Sequence, residues 1–173
     1  MKLAWVALVL IGYTAFAIHR VMPRLPERIP TGFNFQGYPT AWSSPETLWL
    51  LLAVQVAVTA LLLAVPAIGR RAPKLVSLGR KRLSDYPPEA RERILPLLED
   101  MSGWMAVLFC LFFSLLIRDL IRAALNPGER PSLWPLLAFA AGMIGVILYY
   151  LRCIHRVGKE RILSSASRPV PRG

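Results

Sequence analysis

The 173-residue sequence is poor in the residue types that build metal centres and disulfide frameworks. It has two cysteines and two histidines, and its 10 acidic residues are outnumbered by 21 Lys and Arg residues. Cys110 lies inside an apolar run and Cys153 at the end of another, and neither has a metal ligand at a useful spacing. We therefore expect no disulfide framework, no metal site and no cofactor.

Catalytic signatures are also missing from the sequence. It has no phosphate-binding loop, dinucleotide fingerprint, paired His–Glu metal motif or nucleophile elbow. An enzyme would need His19 and Asp119, on different apolar runs, to come within hydrogen-bond reach of each other. The net charge of +11 does not indicate a nucleic-acid partner, because the charges flank the apolar runs and do not line one helix face. The sequence therefore predicts a non-enzymatic protein.

Four long apolar blocks dominate the sequence. Hydrophobic residues make up 55% of the chain, and the mean hydropathy is +0.46. A helix of about 20 apolar residues crosses the hydrocarbon core of a bilayer, which is about 30 Å thick. The blocks predict an all-α fold, one membrane domain over residues 1–173, with lipid as its main partner. The four predicted spans are residues 3–18, 48–68, 101–120 and 133–151.

The first block has a second interpretation. It starts after Lys2 and ends near Ala15 and Ala17, which resembles a signal peptide with a small-residue cleavage site. The block is therefore either a retained first helix or a cleaved leader, and the remaining topology is the same in both cases.

The distribution of basic residues predicts the orientation of the spans. Fifteen of the 21 Lys and Arg residues lie on the side that holds the N-terminus, the middle loop and the C-terminal tail. By the positive-inside rule we expect both termini in the cytoplasm. Residues 69–100 then form a basic cytoplasmic loop, and residues 159–173, rich in Ser, Pro and Arg, form a disordered cytoplasmic tail.

The middle loop contains a helical pattern over residues 88–95. We interpret it as an interfacial helix that rests on anionic lipid through Arg91 and Arg93, with Pro96 kinking or breaking the chain before the third span. The alternative is a solvated extension of the third helix.

The loop over residues 22–47 differs from an ordinary linker. Proline restricts the backbone, and linkers contain few aromatic residues. We therefore expect an ordered external loop whose aromatic side chains pack on the membrane surface or on the helix ends. Its prolines are Pro23, Pro26, Pro30, Pro39 and Pro45, and its aromatic residues are Phe33, Phe35, Tyr38 and Trp42.

The segment from Leu25 to Gly37, followed by Trp42, resembles the signature of a bacterial membrane family known as domain of unknown function 1648. The resemblance implies a multi-pass protein of the bacterial plasma membrane. In relatives, a His usually occupies the position of Gly32 and an Asp the position of Thr40 or a residue near it, so any proton-transfer or metal role of those side chains does not carry over. The remaining motif residues have a structural role: Pro26, Pro30, Gly37 and Trp42.

Some relatives of this family act in immunity to secreted peptide toxins. They carry a further membrane domain with an Arg-Thr-Pro-type motif, which does not occur in this sequence. The resemblance therefore implies envelope sensing, immunity or an accessory role, in which Pro26, Pro30, Phe33, Phe35, Gly37 and Trp42 form the candidate recognition loop.

Three other polar or small-residue patterns have two interpretations each. Arg118, Asp119 and Arg122 either pair structurally at the membrane interface or contact an external ligand or toxin. Gln55 and Thr59 either form hydrogen bonds within the helix bundle or line a path in a small transporter or transport subunit. Small residues in the fourth span pack either within the chain or in a homo-oligomer; the pairs are Ala138 with Gly142 and Ala141 with Gly145.

Overall fold

Four long helices account for most of the computed structural model, which describes residues 2–34, 36–78, 81–85, 88–126 and 134–166. Each helix contains a stretch long and apolar enough to cross a membrane. The predicted multi-pass membrane protein is therefore confirmed at this level. The helices are α1 (Lys2–Val21), α2 (Thr47–Arg71), α3 (Pro88–Leu125) and α4 (Trp134–Ala166).

Helix α3 is the centre of the bundle. Helices α1 and α2 contact α3 and each other, and α4 packs on α3. Gly103 allows α1 to approach closely, because a Cβ at this position would lie 3.2 Å from the Cβ of Leu3. On the side of α4, the ring of Phe112 stacks on Phe139 with centroids 4.5 Å apart. Small residues and aromatic rings therefore set the packing of α3 on two sides.

The prediction of an all-α fold needs a correction in the loop between α1 and α2. This loop forms an antiparallel hairpin of β1 (Ile29–Phe33) and β2 (Pro39–Ser43). Prolines and β-branched residues keep this segment extended, and the sequence Asn34 to Gly37 supplies a turn. A second, very short pair, β3 (Ser77–Leu78) and β4 (Lys81–Arg82), lies between α2 and α3.

The predicted break at Pro96 is wrong, because α3 continues through this residue. Its 38 residues span about 57 Å, well beyond the thickness of a hydrocarbon core. Ile94 and Leu98 flank the proline and are 0% and 1% exposed, in one apolar cluster with Leu83 and Ile154. Packing on both sides of the proline thus holds the helix together, and residues 88–95 extend α3 instead of forming a separate interfacial helix.

Helix α4 bears on two further predictions, the disordered tail and the small-residue pairs. The predicted tail is helical as far as Ala166, and residues 167–173 lie outside the described residues. A Cβ at Gly142 would meet the side chain of Leu108 at 3.4 Å, so this glycine packs within the chain. Gly145 faces open space and Ala141 is exposed, so the second small-residue pair lies on the outer face of α4.

Candidate functional site

The tip of the hairpin is built around Asn34. The backbone N–H of Gly37 donates to the carbonyl of Asn34 at 2.9 Å, which closes a four-residue turn. The side-chain oxygen of Asn34 accepts hydrogen bonds from the N–H groups of Gln36 and Tyr38, at 3.0 and 2.9 Å. Gly37 has φ of 82°, a conformation that side chains with a Cβ rarely adopt. The structure therefore gives a specific reason for the predicted structural role of Gly37: the turn needs a residue with left-handed backbone geometry at this position.

Strand β1 anchors the hairpin to one end of the helix bundle. Ile29 is 0% exposed and packs in a cluster with Ile18 of α1, Leu48 of α2 and Ile117 of α3. Phe33 contacts the same cluster. We call this part of the molecule the hairpin end. Because β1 joins a core made from three helices, the hairpin position is fixed relative to all of them.

Strand β2 presents the opposite, exposed side of the hairpin. Four of its five residues are exposed, and Trp42 is 56% exposed although its register partner Pro30 is buried. Pro26 is also exposed, at the entry to the hairpin. Phe35 lies outside the described residues. The candidate recognition loop thus divides into an anchoring strand and a strand with an outward-facing tryptophan.

Gly32 allows the two strands to approach closely. A Cβ at this position would lie 2.9 Å from the Cβ of Ala41 and 3.2 Å from the hydroxyl oxygen of Thr40. Ala41 is the register partner of Gly32, and its Cβ is fixed by the backbone. A larger residue therefore requires the strands to separate, which gives a steric reason for glycine at this position.

The charged residues at the end of α3 lie at the hairpin end of the bundle, where two of them form a long ion pair. Arg118 lies 3.9 Å from Asp119, with side chains 51% and 15% exposed. Among the described residues, Asp119 forms no ion pair with Arg122, which is exposed. The contact between Arg118 and Asp119 is long and largely solvent-exposed on the arginine side, so it contributes little to stability.

A chain of hydrogen bonds crosses the middle of the bundle. Gln55 donates to the carbonyl of Cys110 at 3.3 Å, and Thr59 donates to the carbonyl of Gln55 at 2.7 Å. Ser114 donates to the same Cys110 carbonyl at 2.7 Å and contacts the hydroxyl of Thr14, also at 2.7 Å. The predicted hydrogen-bonding role of Gln55 and Thr59 is therefore confirmed. These polar groups connect both α1 and α2 to α3.

Comparison with known proteins identifies the N-terminal third of the chain. The model of a family described as domain of unknown function (DUF1648) matches residues 8–56. These residues are therefore similar to the DUF1648 domain. The match covers most of α1, the whole hairpin and the first part of α2, so the resemblance noted in the sequence is confirmed. No curated protein and no solved structure matches the chain.

Several residues that shape the DUF1648 region were not singled out from the sequence. Asn34 had a recognisable signal, because Asn at the first position of a turn and Gly at the fourth are typical of type I turns. Thr14 and Ser114 had none, since each is a single small polar residue in an apolar helix. Their pairing depends on the rotation of α1 against α3, which only the packed structure defines.

Proposed function

We propose that this protein is a non-enzymatic envelope protein that uses its hairpin for recognition outside the cell. In this topology both termini lie in the cytoplasm, and the hairpin end faces outward. The excess of Lys and Arg on the other side supports this orientation. The DUF1648 domain contains the whole hairpin.

The observation that carries the proposal is the difference in burial between the two strands: β1 is anchored in the core, and β2 is exposed. Ile29 on β1 is 0% exposed in the core of three helices, whereas Trp42 on β2 is 56% exposed. Tryptophan supplies a large contact area with few rotatable bonds, so holding it in place costs little conformational entropy. An exposed tryptophan on an anchored hairpin is therefore well suited to bind an envelope peptide or another membrane protein.

An immunity role against peptide toxins is the most specific form of this proposal. It is supported by the exposure of β2 at the hairpin end, which faces outward in the proposed topology. Arg118 and Arg122 lie at the same end of the bundle and are exposed, and they supply cationic contacts next to the hairpin.

Transport is a weaker candidate. It requires an open path lined by polar residues, but Gln55 and Thr59 are 0% and 3% exposed, and both contact Cys110 of α3, at its carbonyl and its sulfur. These bonds serve helix packing. Proteoliposome flux that depends on Gln55 and Thr59 would favour transport over recognition.

The test uses two tryptophans of similar exposure. Trp42 lies on β2 and is 56% exposed, and Trp49 lies in the first turns of α2 and is 40% exposed. We expect Trp42→Ala to abolish cross-linking of an envelope peptide or membrane protein and to reduce tolerance of the cells to a peptide toxin. The control Trp49→Ala should retain both.

A photo-reactive residue at each position completes the test. At position 42 it should form adducts with a peptide or protein, and at position 49 with lipid. Adducts with lipid alone at position 42, in a protein that remains folded, would identify Trp42 as a membrane anchor and contradict the recognition role.

A further inference from the structure

A cavity of about 420 Å³ lies at the end of the bundle opposite the hairpin. We call it the interhelical cavity. It lies between the start of α1, the last turns of α2 and the middle of α3. Arg70, Glu99 and Asp100 line its polar side, and apolar residues of α1 and α2 line the rest.

The three helices place the interhelical cavity at the level of the lipid headgroups. Helix α1 begins at Lys2, and α2 ends at Arg71. In α3, Asp100 immediately precedes an apolar run that starts at Met101. All three helices therefore pass from polar to apolar sequence at this level, which is the interface between water and hydrocarbon.

The polar side of the cavity carries one cation and two carboxylates. The guanidinium of Arg70 contacts the carboxylate of Glu99 at 2.7 Å, with side chains 58% and 39% exposed. Within the described part of the chain, Asp100 forms no ion pair. Among the lining residues the carboxylates therefore outnumber the cation by one, and Asp100, which is exposed, can accept hydrogen bonds from a cationic group.

The remaining wall is apolar. Leu63, Pro66 and Ala67 form it from α2, and Leu3 and Ala4 from α1. A small polar solute would gain little from these side chains. A lipid would bury an upper acyl chain segment against them while its headgroup reached the charged side.

We propose that the interhelical cavity binds the headgroup of a zwitterionic phospholipid with a primary ammonium group. The ammonium donates hydrogen bonds to Asp100 and Glu99, and the phosphate accepts from Arg70, whose five N–H donors allow a second acceptor beside Glu99. A trimethylated headgroup has no N–H donor. A glycerol headgroup lacks the ammonium and leaves the phosphate charge uncompensated next to the carboxylates.

The test is a lipid competition on the full-length protein. The purified protein is mixed with equal amounts of phosphatidylethanolamine, phosphatidylcholine and phosphatidylglycerol, and bound lipid is counted by native mass spectrometry. We expect the ethanolamine lipid to exceed each of the others by about tenfold, the effect of one good charge-assisted hydrogen bond. Equal binding of the ethanolamine and choline lipids, or preference for the glycerol lipid, would overturn the proposal.

Two variants of the same helix locate the site. Asp100→Asn should reduce the preference for the ethanolamine lipid about tenfold, whereas Glu92→Gln should leave it unchanged, because Glu92 is exposed on α3 and does not line the cavity. Equal losses in both variants would place the lipid elsewhere. A soluble competitor, phosphoethanolamine, should not displace the lipid at equal concentration. Displacement would indicate a soluble phosphorylated amine as the ligand and overturn the lipid assignment.

Discussion

The two ends of the α1–α2–α3 bundle differ in how well the space between the helices is filled. At the hairpin end, Ile29 of β1 fills the space between the helices with an apolar side chain that is 0% exposed. At the other end, a cavity of about 420 Å³ remains between the same helices, with Arg70 and Glu99 on its polar side. A loop residue thus closes the core between α1, α2 and α3 at the hairpin end. At the other end the buried loop residue Leu83 packs with Ile94, Leu98 and Ile154 instead, and a cavity remains next to α1.

The largest expected difference between the two ends concerns side-chain truncation. Ile29→Ala should lower the free energy of unfolding by about 2–5 kcal/mol, because it opens a cavity in a closed apolar cluster. Leu63→Ala is the matched control. Leu63 is half-buried and already lines a cavity, so this substitution should lower the free energy of unfolding clearly less. Equilibrium unfolding in mixed micelles measures both values. Equal losses would show that the ends do not differ in packing.

The close approach of the two hairpin strands gives the second prediction. Gly32→Ala should lower the free energy of unfolding by about 1–3 kcal/mol, because the new Cβ at residue 32 would lie 2.9 Å from the Cβ of Ala41. Adding Ala41→Gly should restore much of the loss, and the same unfolding experiment measures the recovery. If the two substitutions simply add, the contact between the strands does not limit residue 32.

A smaller effect is expected midway between the ends, where Thr14 and Ser114 join α1 to α3 by a hydrogen bond of 2.7 Å. A double-mutant cycle with Thr14→Val and Ser114→Ala should give a coupling energy of about 0.5–1.5 kcal/mol. A coupling energy of zero would mean that the two hydroxyls do not stabilise the bundle together.

The smallest effect concerns a fully exposed group at the hairpin end. Hydrogen bonds from the Ser44 side chain and from the backbone N–H of Glu46 lower the pKa of the Glu46 carboxyl below its ordinary value. Because the pKa of Glu46 is lower in the folded protein, its ionised carboxyl stabilises the fold at pH values above the pKa of the unfolded state. This stabilisation is lost as the pH falls through the pKa of the folded state. Ser44→Ala should raise the pKa, as followed by NMR of the Glu46 carboxyl carbon. An unchanged pKa would exclude the Ser44 hydroxyl as the main cause.

The sequence predicts the spans well because a bilayer imposes a minimum length of apolar residues that can be counted directly. It also predicts order in residues 22–47 from their prolines and aromatic residues. The hairpin register does not follow from these signals, because it depends on the contact between Gly32 and Ala41 and on the anchoring of Ile29. The continuity of α3 at Pro96 was missed for a related reason: packing of Ile94 and Leu98 overrides a local tendency to break the helix.

The interhelical cavity could not be predicted from the sequence either. Arg70 and Glu99 are 29 positions apart, and only the antiparallel packing of α2 against α3 brings them within 2.7 Å. The sequence does show that both residues flank apolar runs. It does not show that they meet.

The orientation of the two ends across the membrane is the claim on which the proposed recognition role depends, and cysteine labelling tests it most directly. Cys153 lies on α4 near the end opposite the hairpin, and Thr40→Cys places an exposed thiol on β2. In intact cells a membrane-impermeant maleimide should label residue 40 in the Thr40→Cys, Cys153→Ser variant, and should label the native Cys153 only after permeabilisation. Labelling of Cys153 from outside, with protection of residue 40, would contradict the account.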